Sequence, residues 1–170
     1  GDAKIGEIVG RGAKEGKAIK AEFLSKLPKL AHLLSKLVKE WRNTAQSRDN
    51  DWGGKDYYNG TITGVDGRPI AVSSEHQILV YLLQNMEAVL MQHALVILDG
   101  WLVDKGWTHG VEYGYVAVVH DEVNAEVRDD CVEEYTELAE ESIVEAGRRL
   151  GLSCPHKGDG EAGINWYEVH

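Results

Sequence analysis

The chain has 170 residues, of which 43% are hydrophobic and 27% are charged, and its formal net charge is −10. This composition provides for one domain with a hydrophobic core and excludes a collagen-like or disordered chain. Two cysteines without a CxxC spacing are too few for a disulfide framework, so we expect reduced thiols and a cytoplasmic location. We find no apolar run long enough to span a bilayer and no signal-peptide pattern, so we expect no membrane partner.

The charge is unevenly distributed along the chain. Residues 1–42 contain ten Lys/Arg and five Asp/Glu, a net charge of +5, whereas residues 111–170 contain four Lys/Arg and fifteen Asp/Glu, a net charge of −11. One end is therefore suited to phosphates and the other to cations. Charge alone favours the simpler interpretation that both are solvated helix faces.

The first third of the chain predicts helices. Residues 1–27 indicate two short helices broken near Gly10–Gly12, and Pro28 is suited to the first turn of a third helix. That third helix has one apolar face, formed by Leu30, Leu33, Leu34, Leu37, Val38 and Trp41. A basic amphipathic helix binds a membrane or a partner in some proteins. The more common arrangement, which we favour, has the apolar face on the core and the basic face in water.

The middle of the chain predicts a polar loop over residues 43–56 and then a hairpin. Two β-prone runs flank the sequence GVDG, in which Asp66-Gly67 is a strong hairpin signal. A long helix follows from about Glu75 to Lys105, with apolar residues on most of its faces. Gln84 lies in the middle of that helix, where periodicity favours a surface position.

Residues 114–127, GYVAVVHDEVNAEV, predict strands over 113–119 and 122–127 joined by a tight turn with His120, Asp121 and Glu122. A turn relaxes the alternation of strand side chains, so both carboxylates can approach one side. Mg²⁺ commonly binds one or two protein carboxylates together with substrate phosphates. The turn is therefore a candidate site for metal-dependent phosphoryl transfer, although acidic pairs are also common in solvated loops.

The last part of the chain predicts one more helix, from Asp129-Asp130 to about Leu150, and a short glycine-containing tail. The chain has no HExxH motif, no Cys/His pairs typical of zinc sites, no GxSxG elbow and no phosphate-binding GxxxxGK[ST] loop. These absences make a zinc hydrolase, a serine hydrolase of that type and a P-loop enzyme poor interpretations.

Six segments, taken in order, carry a family resemblance: GDAKIGEIVG, VDGRPI, SSEHQILVYLLQ, KGWTHG, YVAVVHDEV and NWYEVH. Together they resemble the C-terminal part of a family A (Pol I-like) DNA polymerase, most of all those of short-tailed phages, over essentially all 170 residues. VHDE resembles the family's motif C. The DGR hairpin followed by a long helix with LLQ is a second marker, and NW followed by a final His is a third.

The resemblance implies an α+β fold made of a partial palm, with an antiparallel motif C hairpin plus helices, and the end of the fingers. Residues 1–46 would be helices from the end of the fingers and 47–73 a loop and β-hairpin. Residues 74–170 would be the palm portion with motif C and the C-terminal tail. Because the palm sheet would be incomplete, we expect an unpaired edge and exposed apolar faces.

The resemblance also implies residue roles. Asp121 is expected to ligate the catalytic Mg²⁺ ions, with Glu122 as its acidic neighbour in the catalytic site. DNA contacts are expected from His120 near the primer strand, from Gln84 in the minor groove and from Arg68. The terminal His170 matches a family histidine whose role is less defined.

Some positions depart from the family pattern. Val80 replaces a DNA-contacting Asn, Ser73 a basic residue and Glu87 a small one. The second catalytic aspartate (motif A) and the nucleotide-binding fingers helix (motif B) would lie upstream of these residues. We therefore predict that the isolated chain does not polymerise DNA, because two metal ions need ligands besides Asp121.

The predicted function is a fragment or subunit of a DNA-directed DNA polymerase that acts with an upstream half on primer–template DNA and dNTP. Its location would be the host cytoplasm if the chain is phage-encoded. Two alternatives stay open: a non-catalytic remnant or accessory protein that binds DNA or a partner, and an acidic metal-binding α/β domain unrelated to polymerases.

Overall fold

The structure, a computed structural model, describes residues 1–169, so the expectation for His170 lies outside the described residues. The chain divides into two compact units, Gly1–Asn85 and Met86–His170. It is α+β, as predicted, with five α-helices and three two-stranded antiparallel sheets in the described part. Its assignment to a palm and fingers, and the three-part division of the chain, stay predictions.

The first unit begins with three helices: α1 (Asp2–Ile8), α2 (Ala13–Lys26) and α3 (Pro28–Thr44). The predicted break and the predicted start at Pro28 are confirmed. Helix α3 turns its apolar face inward, where Leu37 and Trp41 are buried. The indole Nε1 of Trp41 donates a hydrogen bond to the carbonyl oxygen of Val72 at 2.8 Å, which joins α3 to the following strands.

Two hairpins follow α3. The first pairs β1 (Gln46–Asp49) with β2 (Lys55–Tyr58), so the prediction of a loop over 43–56 was wrong. The Asn50 Oδ1 atom accepts hydrogen bonds from the backbone N–H groups of Trp52 and Gly54, at 3.2 and 2.8 Å, and thereby closes the turn. Nearly every residue of both strands is exposed, so no apolar alternation marks them in the sequence.

The second hairpin pairs β3 (Gly60–Thr63) with β4 (Pro69–Val72), as predicted. Its turn contains Gly67 at a φ of 81°, a conformation that glycine adopts without steric cost. Ile62 and Val72 face inward and complete a buried cluster with Leu37, Trp41 and Ile78. This cluster is the core of the first unit.

Helix α4 (Ile78–Asp104) follows a 3-10 turn at Glu75–Gln77 and passes from the first unit into the second. The second unit continues with β5 (Tyr113–Val119), β6 (Glu122–Val127) and α5 (Val132–Arg149), the last after a 3-10 turn at Asp129–Cys131. These bounds confirm the predicted hairpin and helices. A 3-10 turn at Trp166–Val169 is the last described element.

Two buried clusters form the core of the second unit. One contains Leu90, Ala94, Ile97 and Ala146, and the other Leu98, Leu102, Tyr113 and Tyr135. Both join α4 to α5, and the second also includes the base of the β5–β6 hairpin. Cys131 is buried, Cys154 is exposed, and both are free thiols.

One helical segment, Glu75–Asp104, is long and apolar enough to cross a membrane by length and composition, with a mean hydropathy of 1.4. The expectation that no apolar run has this length was therefore wrong. The core helix of a soluble protein meets the same two criteria. Residues of α4 contribute to all three buried clusters, which accounts for part of its apolar composition, whereas Val80, Leu83, Val96 and Val103 are exposed.

Candidate metal-binding hairpin and nucleic-acid contacts

The β5–β6 hairpin is fixed at its base by aromatic packing. Tyr113 is buried against Leu98, Leu102 and Tyr135, with Tyr115 and Ala125 packed beside it. The strand register shifts between Tyr115 and Ala117, where one strand has an extra residue. Such a bulge bends the strand and increases its twist, and so changes the direction of the outer half of the hairpin.

Three tyrosine rings pack at the base of the hairpin and stay neutral at physiological pH: Tyr113 and Tyr135 are buried and Tyr115 is half-buried. The Tyr113 hydroxyl donates a hydrogen bond to Asp99 Oδ1 at 2.6 Å, and burial together with this bond raises the pKa of Tyr113 to about 12. Burial also raises the pKa of Tyr135 to about 12 and the pKa of Tyr115 still higher. The base therefore adds no phenolate charge to an acidic hairpin.

The tip of the hairpin is a two-residue turn formed by His120 and Asp121. Val119 and Glu122 are the last paired residues on either side of it. His120 has a φ of 54°, in the left-handed region that primed hairpin turns require at their first central position. His120, Asp121 and Glu122 are all exposed. The local sequence thus places the predicted acidic pair at a solvent-accessible point.

Glu122 is oriented by a neighbour that the sequence reasoning missed. Asn124 lies two residues further along β6, on the same face of the strand, and its Nδ2 donates a hydrogen bond to Glu122 Oε1 at 2.7 Å. A hydrogen bond of this kind reduces the orientations open to the carboxylate. The signal was available in the sequence, because an amide at i+2 on a strand faces the same side as the acid.

The chemistry of the donor set suits Mg²⁺, although the set is incomplete. Hard carboxylate oxygens are the preferred Mg²⁺ ligands, and one or two of them suffice where phosphates and water complete the shell. No ion pair within residues 1–169 involves Asp121. No group of three or more His, Cys, Asp or Glu side chains converges as a metal site in that part of the chain. The metal-binding role of the tip therefore stays a prediction.

The two remaining DNA-contact candidates, Gln84 and Arg68, lie in the first unit. Gln84 is exposed on α4, as its periodicity favours. The next residue, Asn85, directs its Oδ1 to the backbone N–H of Val65 at 3.3 Å. A side chain at Gly64 would place its Cβ 2.5 Å from Asn85 Oδ1, so the Asn85 side chain would have to move. The β3–β4 turn, which carries Arg68, is thereby held beside α4.

Arg68 is engaged within its own turn. Its Nε forms an ion pair with Asp66 Oδ2, and its backbone N–H donates to Asp66 Oδ1 at 3.1 Å. The same contacts lower the pKa of Asp66. Asp66 is therefore ionised at neutral pH and binds the guanidinium. To contact DNA, Arg68 would have to bind a phosphate in addition to Asp66 or in its place.

Comparison with known proteins shows that the chain is similar in sequence to three phage DNA polymerases. The DNA-directed DNA polymerase of Enterobacteria phage T3 is 32% identical over 177 residues, and that of Escherichia phage T7 is also 32% identical over 177 residues. The DNA-directed DNA polymerase of Escherichia phage Phieco32 is 33% identical over 178 residues. Each match covers 100% of this chain. The chain is related to the phage DNA polymerases.

The chain matches only part of each phage polymerase. The chain covers 24% of the phage T3 and T7 polymerases and 26% of the Phieco32 polymerase, about a quarter of their length. The resemblance inferred from the six segments is confirmed at the level of a phage polymerase fragment. No protein-family model matches the chain. The roles of Asp121, Glu122, His120, Gln84 and Arg68 stay predictions.

Proposed function

We propose that the chain supplies the motif C part of the catalytic site of a template-directed phage DNA polymerase of family A. The observation that carries the proposal is the similarity of the whole chain to three phage polymerases together with an exposed Asp121-Glu122 pair at the tip of a β-hairpin. The location would be the cytoplasm of the infected host.

In this proposal Asp121 holds the catalytic Mg²⁺ ions together with an aspartate from the upstream part of the polymerase. Mg²⁺, when bound, supplies Lewis-acid stabilisation of phosphoryl oxygens and lowers the pKa of the attacking hydroxyl. Glu122, oriented by Asn124 Nδ2 at 2.7 Å, adds negative charge beside the ions. The exposed tip leaves room for a primer terminus, near which His120 lies at the first position of the turn.

The complete reaction joins the primer 3′-oxygen to the α-phosphorus of a dNTP and releases pyrophosphate. Gln84 contributes to fidelity in this proposal, because purine N3 and pyrimidine O2 present minor-groove acceptors in every Watson–Crick pair. It therefore tests the geometry of pairing without reading sequence. The incoming nucleotide is bound by the upstream half, so the isolated chain is inactive.

The test is primer extension with Mg²⁺, using the chain alone and mixed with the complementary upstream portion of the phage T7 polymerase. We expect extension only in the mixture. The Asp121→Asn variant should lose extension by more than about 100-fold, because even a residue that merely orients a metal ligand contributes about 10- to 100-fold. Wild-type extension by Asp121→Asn in an assembled mixture would contradict the proposal.

A matched control is Asp51→Asn, which removes one exposed carboxylate from the turn of the β1–β2 hairpin. Because Asp51 lies in the first unit, outside the motif C hairpin, we expect extension at the wild-type rate. Equal losses in both variants would indicate a general effect of charge and would count against a metal-ligating role for Asp121.

The accessory-protein alternative is favoured by one observation. Val80, one turn before Gln84 on α4, is 52% exposed and presents an isopropyl group where the family pattern has an Asn. A mixture that assembles on a sizing column but extends no primer would support this alternative.

A further inference from the structure

We propose that the polar face of helix α3, formed by Lys29, His32, Lys36, Lys39 and Asn43, binds the sugar–phosphate backbone of duplex DNA. The inference rests on the proposed function for its choice of DNA as the ligand. It adds a phosphate-binding surface in the first unit, whereas the motif C hairpin belongs to the second.

The first argument is the arrangement of charge on α3. At 100° per residue the three lysines lie within one third of the helix circumference, and all three are exposed. Within residues 1–169 none of the ion pairs includes Lys29, Lys36 or Lys39. This part of α3 therefore presents cations whose charge is not neutralised by a neighbouring carboxylate.

The second argument is the position of the acidic residue of α3. Glu40 is the sole carboxylate of this helix. Its Oε1 accepts hydrogen bonds from the backbone N–H and the hydroxyl of Thr63, at 2.7 and 2.6 Å. These bonds direct the carboxylate to strand β3, although at 100° per residue Glu40 lies only about 40° from Lys36 on the helix circumference. Glu40 is thus engaged by Thr63 and forms no ion pair with a lysine of α3 within residues 1–169.

Arg42 is not counted in this surface, because it already has partners. Its Nη2 lies 2.6 Å from Glu75 Oε2, and its Cζ lies 5.3 Å from the centroid of the Tyr57 ring. The three lysines and His32 lie on the preceding turns of the helix. From Lys29 to Lys39 the helix rises about 15 Å, which corresponds to about four base-pair steps of 3.4 Å.

The opposite face of α3 argues for DNA over a membrane surface. A helix that binds in the membrane interface inserts its apolar face among the lipids. In this chain that face is occupied, because Leu37 and Trp41 are 5% and 0% exposed in the core of the first unit. Leu33 is 39% exposed, but the centre of the apolar face is buried, so the helix has no continuous apolar face to insert into lipid and its cations fit a phosphodiester backbone.

The test is fluorescence anisotropy of a labelled 20-base-pair duplex with the 170-residue chain, titrated at several salt concentrations. Each backbone phosphate neutralised contributes about −0.9 to the slope of log K against log salt concentration. The double variant Lys36→Glu/Lys39→Glu should weaken binding at least about tenfold at low salt and make the slope about 2 less negative. Circular dichroism should show unchanged helix content, because both side chains are exposed.

The matched control is Lys4→Glu/Lys26→Glu, which changes the net charge equally on α1 and α2. Lys4 and Lys26 are already paired, with Glu7 at 3.0 Å and Glu22 at 2.7 Å. We expect the control to keep the wild-type salt slope. Equal losses in both double variants, or no loss in either, would overturn the proposal. So would binding to anionic lipid vesicles by a chain that does not bind the duplex.

A second measurement needs no variant. Acetylation of lysines in the wild-type chain, read by mass spectrometry, should slow at Lys29, Lys36 and Lys39 when duplex is added and should not change at Lys4. Unchanged acetylation at the α3 lysines under conditions where the duplex binds would overturn the proposal. Neither readout requires catalysis, so failure of the polymerase proposal in the extension assay is a separate result.

Discussion

Trp41 shows, at the scale of single residues, how one side chain connects several segments of the first unit. It is fully buried, its indole donates to Val72, and its neighbours include Gly60 at the start of β3. A Cβ on Gly60 would lie 2.6 Å from the Trp41 carbonyl oxygen and 2.7 Å from Cδ1 and Nε1 of the ring. The absence of a side chain at Gly60 is therefore a condition for this packing.

We predict that Gly60→Ala lowers the free energy of unfolding by about 1–3 kcal/mol, the usual cost of inserting a methyl group into a filled core. The measurement is urea unfolding followed by tryptophan fluorescence. Gly100→Ala is the control, because a Cβ there meets nothing within 4 Å, at a position inside α4 four residues before its end. It should stabilise the chain by up to about 1 kcal/mol. An unchanged urea midpoint for Gly60→Ala would contradict this account.

At the same scale, the sequence predicted where the acidic pair lies but not what surrounds the candidate residues. Hairpin chemistry alone predicted the exposed tip with Asp121 and Glu122. Two contacts were not predicted: the hydrogen bond from Tyr113 to Asp99 and the ion pair between Arg68 and Asp66. Such contacts depend on the rotamers and distances that packing imposes, and residue type and spacing contain little information about them.

At the scale of elements, predictions succeeded where hydrophobic patterns were regular. The strands at 113–119 and 122–127 alternate or run apolar, and α3 and α5 each have one apolar stripe, so their bounds were predicted closely. The β1–β2 hairpin was missed because solvent reaches both of its faces. Its strands form through backbone pairing and the Asn50 turn, neither of which produces a period of two in hydrophobicity.

Helix α5 provides an element-scale prediction of pH dependence. Glu145 receives hydrogen bonds from Arg148 and Arg149, one turn further along the helix, which lower its pKa from 4.5 to about 2. A pKa that is lower in the folded chain stabilises the fold fully above 4.5, and this contribution is lost as the pH falls towards 2. Glu145→Gln should therefore lower the melting temperature at pH 7 and have a smaller effect at pH 3.

The control for this prediction is Glu141→Gln, on the same helix, which is exposed and forms no ion pair in the described part of the chain. Its effect on the melting temperature should be small at both pH values. The measurement is thermal unfolding by circular dichroism at pH 7 and pH 3. An effect of Glu145→Gln that grows as the pH falls would have the wrong sign for a lowered pKa.

At the scale of the whole molecule, the division into two units with separate cores has consequences for stability. Ile62 belongs to the core of the first unit and Ile97 to a core of the second, with exposures of 1% and 6%. Ile→Val at each position removes one methylene group from one core and costs about 0.5–1.5 kcal/mol. The two substitutions form a matched pair, because they make the same chemical change in different units.

We predict that each substitution accelerates amide hydrogen exchange mainly in its own unit, by about 2- to 13-fold at amides that exchange through unfolding of that unit. Ile62→Val should affect residues 1–85 and Ile97→Val residues 86–169, as read by mass spectrometry of peptides. Helix α4 is the decisive segment, because Ile78 packs in the first core and Leu90 in the second. Its peptides before residue 86 should follow the first unit and those after it the second. Uniform acceleration along all of α4 by either substitution would show that both units unfold as one cooperative body.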